Sequence, residues 1–120
     1  EERTALHWAV ERGFANVVNR LLGKKVEVNV KDAWGNSPLH LAAWKGRDTI
    51  ARALLDHGAD HDLLNEEGQL PLHLAAMMGH AAVVQLLYKE TSSTSVKDDR
   101  GKTALDYAES WAKEEVITIL

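Results

Sequence analysis

The sequence predicts an all-α solenoid of stacked helix–turn–helix units, and three observations predict it. A six-residue block recurs at Thr4–Ala9, Ser37–Ala42, Leu70–Ala75 and Thr103–Ala108, each 33 residues after the last. Gly35, Gly68 and Gly101 precede three of these blocks with one residue between, and Asp32, Asn65 and Asp98 stand three residues earlier still. Gly13, Gly46 and Gly79 follow the first three blocks, and an apolar pair recurs at Leu21-Leu22, Leu54-Leu55 and Leu87-Tyr88. The phase never slips, so the units carry no insertions relative to one another, as a repeat architecture requires.

Each column has a physical role. Asp32 to Gly35 predicts a tight turn, in which Asp bonds the backbone ahead of it and Gly takes the unusual φ. Ser37 before Pro38 predicts a helix N-cap followed by a first helical residue that needs no N–H. Leu39, Ala42 and Ala43 fall on one helical face, and the alanines let neighbouring helices approach. Gly46 is expected to end that helix in a left-handed conformation. Ile50, Ala51, Leu54 and Leu55 give a second helix its apolar stripe, which Gly58 ends. No unit can bury its own apolar face, so stacking makes the core.

The outer units depart from the pattern. Glu2 stands in the column of Gly35, and Lys25 in that of Gly58, with Gly23 nearby to end the helix instead. Thr91-Ser92-Ser93 replaces Gly58-Ala59-Asp60 and opens a polar stretch, Thr91 to Ser95, that is expected to be a mobile loop or a phosphate acceptor. Asp106 replaces the histidine of the block, and Ala112 replaces the following glycine. Glu114 and Glu115 suit a solvated end of the stack. Continuation into further units is an equal expectation, and the absence of an initial Met suggests a fragment of something longer.

With its Ser-Pro-Leu-His-Leu-Ala-Ala stretch at residues 37–43 and its 33-residue period, the chain resembles the ankyrin repeat family over its whole length. The resemblance implies a single domain over residues 1–120, with units at about 1–31, 32–64, 65–97 and 98–120, the first and last truncated, joined by β-hairpin-like turns. It also implies a module that binds another protein, needs no cofactor and catalyses nothing. Two alternatives are a regulatory or targeting segment of a larger enzyme or channel, and a free-standing inhibitor of a folded enzyme such as a kinase. Asp32-Ala33-Trp34-Gly35 is similar to a turn in the small four-repeat cyclin-dependent kinase inhibitors.

Composition bounds the rest. The net charge is −4 with both signs mixed along the chain, which argues against a nucleic-acid surface. No apolar run reaches the roughly 18 residues of a membrane span. There is no cysteine, hence no disulfide and no thiolate metal site, which suits the inside of the cell, cytoplasmic or nuclear. His7, His40 and His73 lie one unit apart, a height of about 10 Å by resemblance, against a Zn–N bond of about 2.1 Å. Their expected work is a hydrogen bond from each unit to the next. Ser37 is committed as a cap, and the adjacent pairs Glu66-Glu67 and Glu114-Glu115 do not converge on a substrate, so neither a catalytic nor a metal site is expected.

In the family, partners meet a concave side made of turn tips and the exposed ends of first helices. Carried onto this sequence, those columns hold Trp34, Asn36, Glu66, Glu67, Gln69, Arg100 and Lys102 at the tips. Trp44, Lys45, Met77, Met78 and Trp111 fall on the helix ends. Trp44 and Met77 share one column, and Met78 and Trp111 the next, which predicts an aromatic, Met-rich patch with a basic border from Lys31, Lys45, Arg100 and Lys102. Trp8 aligns with Leu41, Leu74 and Tyr107 and is expected in the core. Asn29 resembles the ankyrin-loop asparagine modified by an oxygen-sensing asparaginyl hydroxylase. The isolated chain is expected to be monomeric.

Overall fold

The computed structural model describes residues 3–90 and 94–120. Thr91, Ser92 and Ser93, and with them most of the loop singled out above, lie outside the described residues, as does Glu2. Helices run in pairs: α1 (Ala5–Arg12) with α2 (Ala15–Leu22), α3 (Pro38–Lys45) with α4 (Asp48–Asp56), α5 (Pro71–Met78) with α6 (Ala81–Glu90), and α7 (Ala104–Ser110) with α8 (Glu114–Ile119). The first helices pack side by side in the order α1, α3, α5, α7, and the second helices form a parallel layer in the order α2, α4, α6, α8. The stack measures 38 × 25 × 23 Å, so it is longest in the one direction in which units add.

Local chemistry sets each boundary. The Ser37 hydroxyl accepts from the His40 N–H at 3.3 Å while the His40 ring accepts from the Ser37 N–H at 3.1 Å, and Pro38 follows as the first helical residue. Thr4 with His7 and Thr103 with Asp106 do the same. Leu70 has no cap to offer, yet its N–H still donates to His73 Nδ1 at 2.9 Å. Gly13, Gly46 and Gly79 end α1, α3 and α5 in the left-handed region. Gly23 ends α2 with a right-handed φ of −70°, so that stop requires no glycine geometry.

The three turns are copies of one another. Asp32 Oδ1 accepts from the N–H groups of Trp34 and Asn36 at 3.0 and 2.9 Å. Asn65 Oδ1 does so from Glu67 and Gln69, and Asp98 Oδ1 from Arg100 and Lys102. Each turn closes like a hairpin, Asp32 N–H to the Asn36 carbonyl in the first case, although no strand forms among the described residues. Successive turns are also linked, by Glu66 N–H to the Trp34 carbonyl at 3.1 Å and Asp99 N–H to the Glu67 carbonyl at 3.0 Å. The tips are thereby held in a row.

The core lies between the two helix layers and is continuous from Leu6 to Val116. Leu39, Ala42, Ala43, Ile50, Ala51 and Leu54 are buried as their columns predict, and Leu55 is partly covered. Trp8 is not in it. Leu41, Leu74 and Tyr107 are buried, but Trp8 is 48% exposed. The Tyr107 ring meets His73 of the preceding unit edge to face at 6.1 Å. Trp8 stands in the first unit, and the guanidinium groups of Arg3 and Arg12 lie over its ring instead, 5.8 and 4.9 Å from the centroid.

Candidate protein-binding groove

A groove of about 460 Å³ runs between the turn tips and the first helices of the second and third units. Trp34 forms one lip, Glu66 and Glu67 another, and Trp44 rises from the end of α3. Leu41 and Leu74 make its apolar floor. Asn36, Asn65 and Gln69 line it between the tips, and Arg3 and Glu11 line it from the first unit.

The indoles are presented rather than packed: Trp34 is 65% exposed and Trp44 38%. The Glu66 and Glu67 side chains are exposed and enter no ion pair among the described residues. The Arg3 guanidinium pairs with Glu11, and its Nε lies 3.7 Å from Asp32 Oδ2. The groove thus carries aromatic faces, unneutralised carboxylates and one guanidinium already in place.

The polar side chains between the tips are structural. Asn65 Nδ2 donates to Asn36 Oδ1 and to Gln69 Oε1, and Gln69 Nε2 donates to Asp98 Oδ2, which also accepts from the Tyr107 hydroxyl. Burial alone would push the Asp98 carboxyl up. The hydrogen bonds from Tyr107, Lys102, Gln69 and Arg100 outweigh it and hold the carboxyl below its ordinary value. Gln69, expected at an exposed tip, is only 4% exposed because both ends of its amide are used in this ladder.

The predicted patch is therefore divided. Trp34, Asn36, Trp44, Glu66, Glu67 and Gln69 line one groove, whereas Lys45, Met77, Met78, Arg100, Lys102 and Trp111 do not. Met77 is partly buried against the core and Met78 is half-buried. Trp111 is 54% exposed but follows the last residue of α7, away from the groove. Lys31 Nζ donates to the Leu64 carbonyl at 2.7 Å, a bond between successive units. Sequence reasoning missed Arg3, Asn65, Leu41 and Leu74 as lining residues. Leu41 and Leu74 share the Trp8 column, which the sequence assigns to the core, so nothing in it marked them as a groove floor.

The histidines do what their spacing predicts. Nε2 of His7, His40 and His73 lies 3.0, 2.9 and 3.1 Å from the carbonyl oxygens of Asn36, Gln69 and Lys102, each in the next turn. Carbonyls only accept and the capped N–H groups only donate, so each ring is the neutral Nε2–H tautomer. Burial lowers all three pKa values, that of His40 to about 4. Two further ties join first helices to the next unit: Arg47 to the Glu11 carbonyl and His80 to the Trp44 carbonyl, both at 3.0 Å. Among the described residues no cluster of three or more His, Asp and Glu is placed to hold a metal, and no helix is long and apolar enough to cross a membrane. Asn29 donates to the Gly58 carbonyl and accepts from the Asp60 N–H at 2.8 Å, so its amide joins two interunit loops.

Comparison with known proteins agrees with this architecture. A stretch of 38 residues is 50% identical to part of "Serine/threonine-protein kinase 12" of Arabidopsis thaliana, covering 32% of this chain and 8% of that protein. The chain thus spans under a tenth of that relative's length. The family profile "Ankyrin repeats (many copies)" matches residues 54–108, and "Ankyrin repeats (3 copies)" matches residues 1–65, more than half of the chain. With that match, the repeated turn–helix–helix geometry and the histidine bonds between units, the chain belongs to the ankyrin repeat family.

Proposed function

We propose that this chain is a protein-binding module whose working surface is the groove between the second and third turn tips, with Trp34 and Trp44 as its anchors. Ankyrin repeats generally mediate protein–protein interaction. The observation that carries the assignment is the exposure of two indoles over an apolar floor, on turns already fixed by their own hydrogen bonds. A turn tip has no folding need for a Trp. Large rigid side chains on a preorganised frame lose little freedom on binding and make strong interface anchors. The backbone supplies position, and no covalent chemistry is required.

One test is paired affinity capture from cell lysate with the wild type and a Trp34→Ala/Trp44→Ala variant, after circular dichroism shows equal folding. A protein held by the wild type and lost by the variant supports the groove. Equal capture by both rejects it.

A second reading is favoured by the stretch shared with the plant kinase: the stack serves as the targeting or regulatory part of a larger enzyme. The groove then selects what that enzyme meets. Expression of the full-length gene product, followed by kinase assay, distinguishes this from a separate binding protein.

A further inference from the structure

We infer that the groove receives an arginine side chain from an extended peptide segment of the partner; this rests on the groove being the binding surface. Four features converge on a guanidinium. Trp34 and Trp44 offer exposed indole faces, the most favourable aromatic surface for a cation. Glu66 and Glu67 line the same groove, adjacent in sequence, exposed and without an ion pair among the described residues. Two neighbouring carboxylates repel one another, and a cation between them and the indoles relieves that repulsion. The floor of Leu41 and Leu74 is apolar and suits the methylene stem behind a charged head.

The fourth feature is a guanidinium the protein holds in the same groove itself. Arg3 sits at its first-unit end, over the Trp8 ring at 5.8 Å, paired with Glu11 and 3.7 Å from Asp32. Indole and carboxylates enclose an arginine there. Trp34, Trp44, Glu66 and Glu67 bring the same kinds of group, indole and carboxylate, to the middle of the groove. Arginine fits better than lysine, because a planar guanidinium stacks on an indole and forks onto a carboxylate at once, whereas an ammonium does neither. A groove of about 460 Å³ has room for a few residues of extended chain beside the arginine.

The experiment uses the whole chain and short peptide libraries that are randomised except for one fixed central residue: Arg, Lys, Leu or Glu. Retention is measured on wild type, on Glu66→Gln/Glu67→Gln, and on Trp34→Ala and Trp44→Ala, at a temperature where circular dichroism shows all of them fully folded. The expected result is preferential retention of the Arg library, weakened about tenfold by the double Gln variant and about thirtyfold by either Trp variant, with added salt weakening the wild type most. Equal retention of the Lys library overturns the choice of a guanidinium. Trp-dependent retention of the Leu library at the Arg level, unmoved by the Gln variant, overturns the cation and leaves the groove standing. Retention indifferent to both Trp variants overturns the groove as well. No retention from any library overturns a peptide occupant and leaves the groove to a folded partner, which the lysate capture then tests.

Discussion

The His40 imidazole joins two turns: Nε2–H donates to the Gln69 carbonyl at 2.9 Å, while Nδ1 accepts from the Ser37 N–H at 3.1 Å. One buried ring thus caps its own helix and pins the next turn tip. His40→Ala leaves both backbone groups without their partner and opens a void in the core. A loss of about 2–4 kcal/mol is expected in urea unfolding. His57, exposed at the end of α4, is the control, and His57→Ala is expected to change stability by less than about 0.5 kcal/mol.

Acid should dismantle the same ladder before it reaches the carboxylates. Burial lowers the folded-state pKa of His40 to about 4, below the 6.5 of the free side chain, and lowers those of His7 and His73. A lowered histidine pKa means the unfolded chain binds the proton first. Stability is complete above pH 6.5, falls as pH drops toward about 4, and levels off for His40 below that. His40 alone accounts for about 3 kcal/mol over this window. Asp98, with its carboxyl held below 3.8, loses its contribution only at still lower pH. Unfolding midpoints against pH measure the fall, and the His40 ring proton shift in NMR should stay at its neutral value until pH nears 4.

Ala112 holds φ +55° in the column where Gly13, Gly46 and Gly79 hold φ 77°, 74° and 75°. A Cβ in the left-handed region is strained, so Ala112→Gly should stabilise the last unit by about 1 kcal/mol. The reverse change inside the stack is worse. A Cβ on Gly46 would lie 2.5 Å from His80 Nδ1, in a ring whose Nε2 holds the Trp44 carbonyl. Gly46→Ala should therefore destabilise by about 2 kcal/mol or more, from both strain and displacement of that ring. Thermal melts of the two variants against wild type provide the check.

What could be read from the sequence was whatever repeats. Period fixes the turns, caps and helix stops, because Asp32, Ser37 and Gly46 each act on backbone within a few residues of themselves. Exposure is harder to read, because it depends on which neighbour covers a column and from which side. Trp8 shares a column with buried Leu41 and Tyr107 yet is half-exposed, with Arg3 and Arg12 over its ring where Tyr107 has His73. Gln69 aligns with Asn36 at a tip, yet its longer amide reaches Asp98 and buries itself. Met77 aligns with Trp44, yet packs down onto the core. Arg3 stands in the column of Asn36 and Gln69, one residue before the block, so the period marks its place, but Glu2 in the glycine column hid it as a tip residue.

The two groove tryptophans should separate binding from stability to different degrees. Trp34 is 65% exposed at a turn whose bonds are backbone to Asp32 Oδ1 and to the Glu66 N–H, none of which uses the indole. Trp34→Ala should change unfolding free energy by less than about 0.5 kcal/mol. Trp44 is 38% exposed at the last turn of α3, so more of its ring lies on protein, and Trp44→Ala should lose about 1–2 kcal/mol. In binding, each is expected to weaken affinity by about 2 kcal/mol, roughly thirtyfold, as anchors in a desolvated groove do. Titration calorimetry with a captured partner, beside urea melts of the same preparations, reads both quantities. A Trp34→Ala protein that melts like wild type and binds like wild type removes Trp34 from the interface.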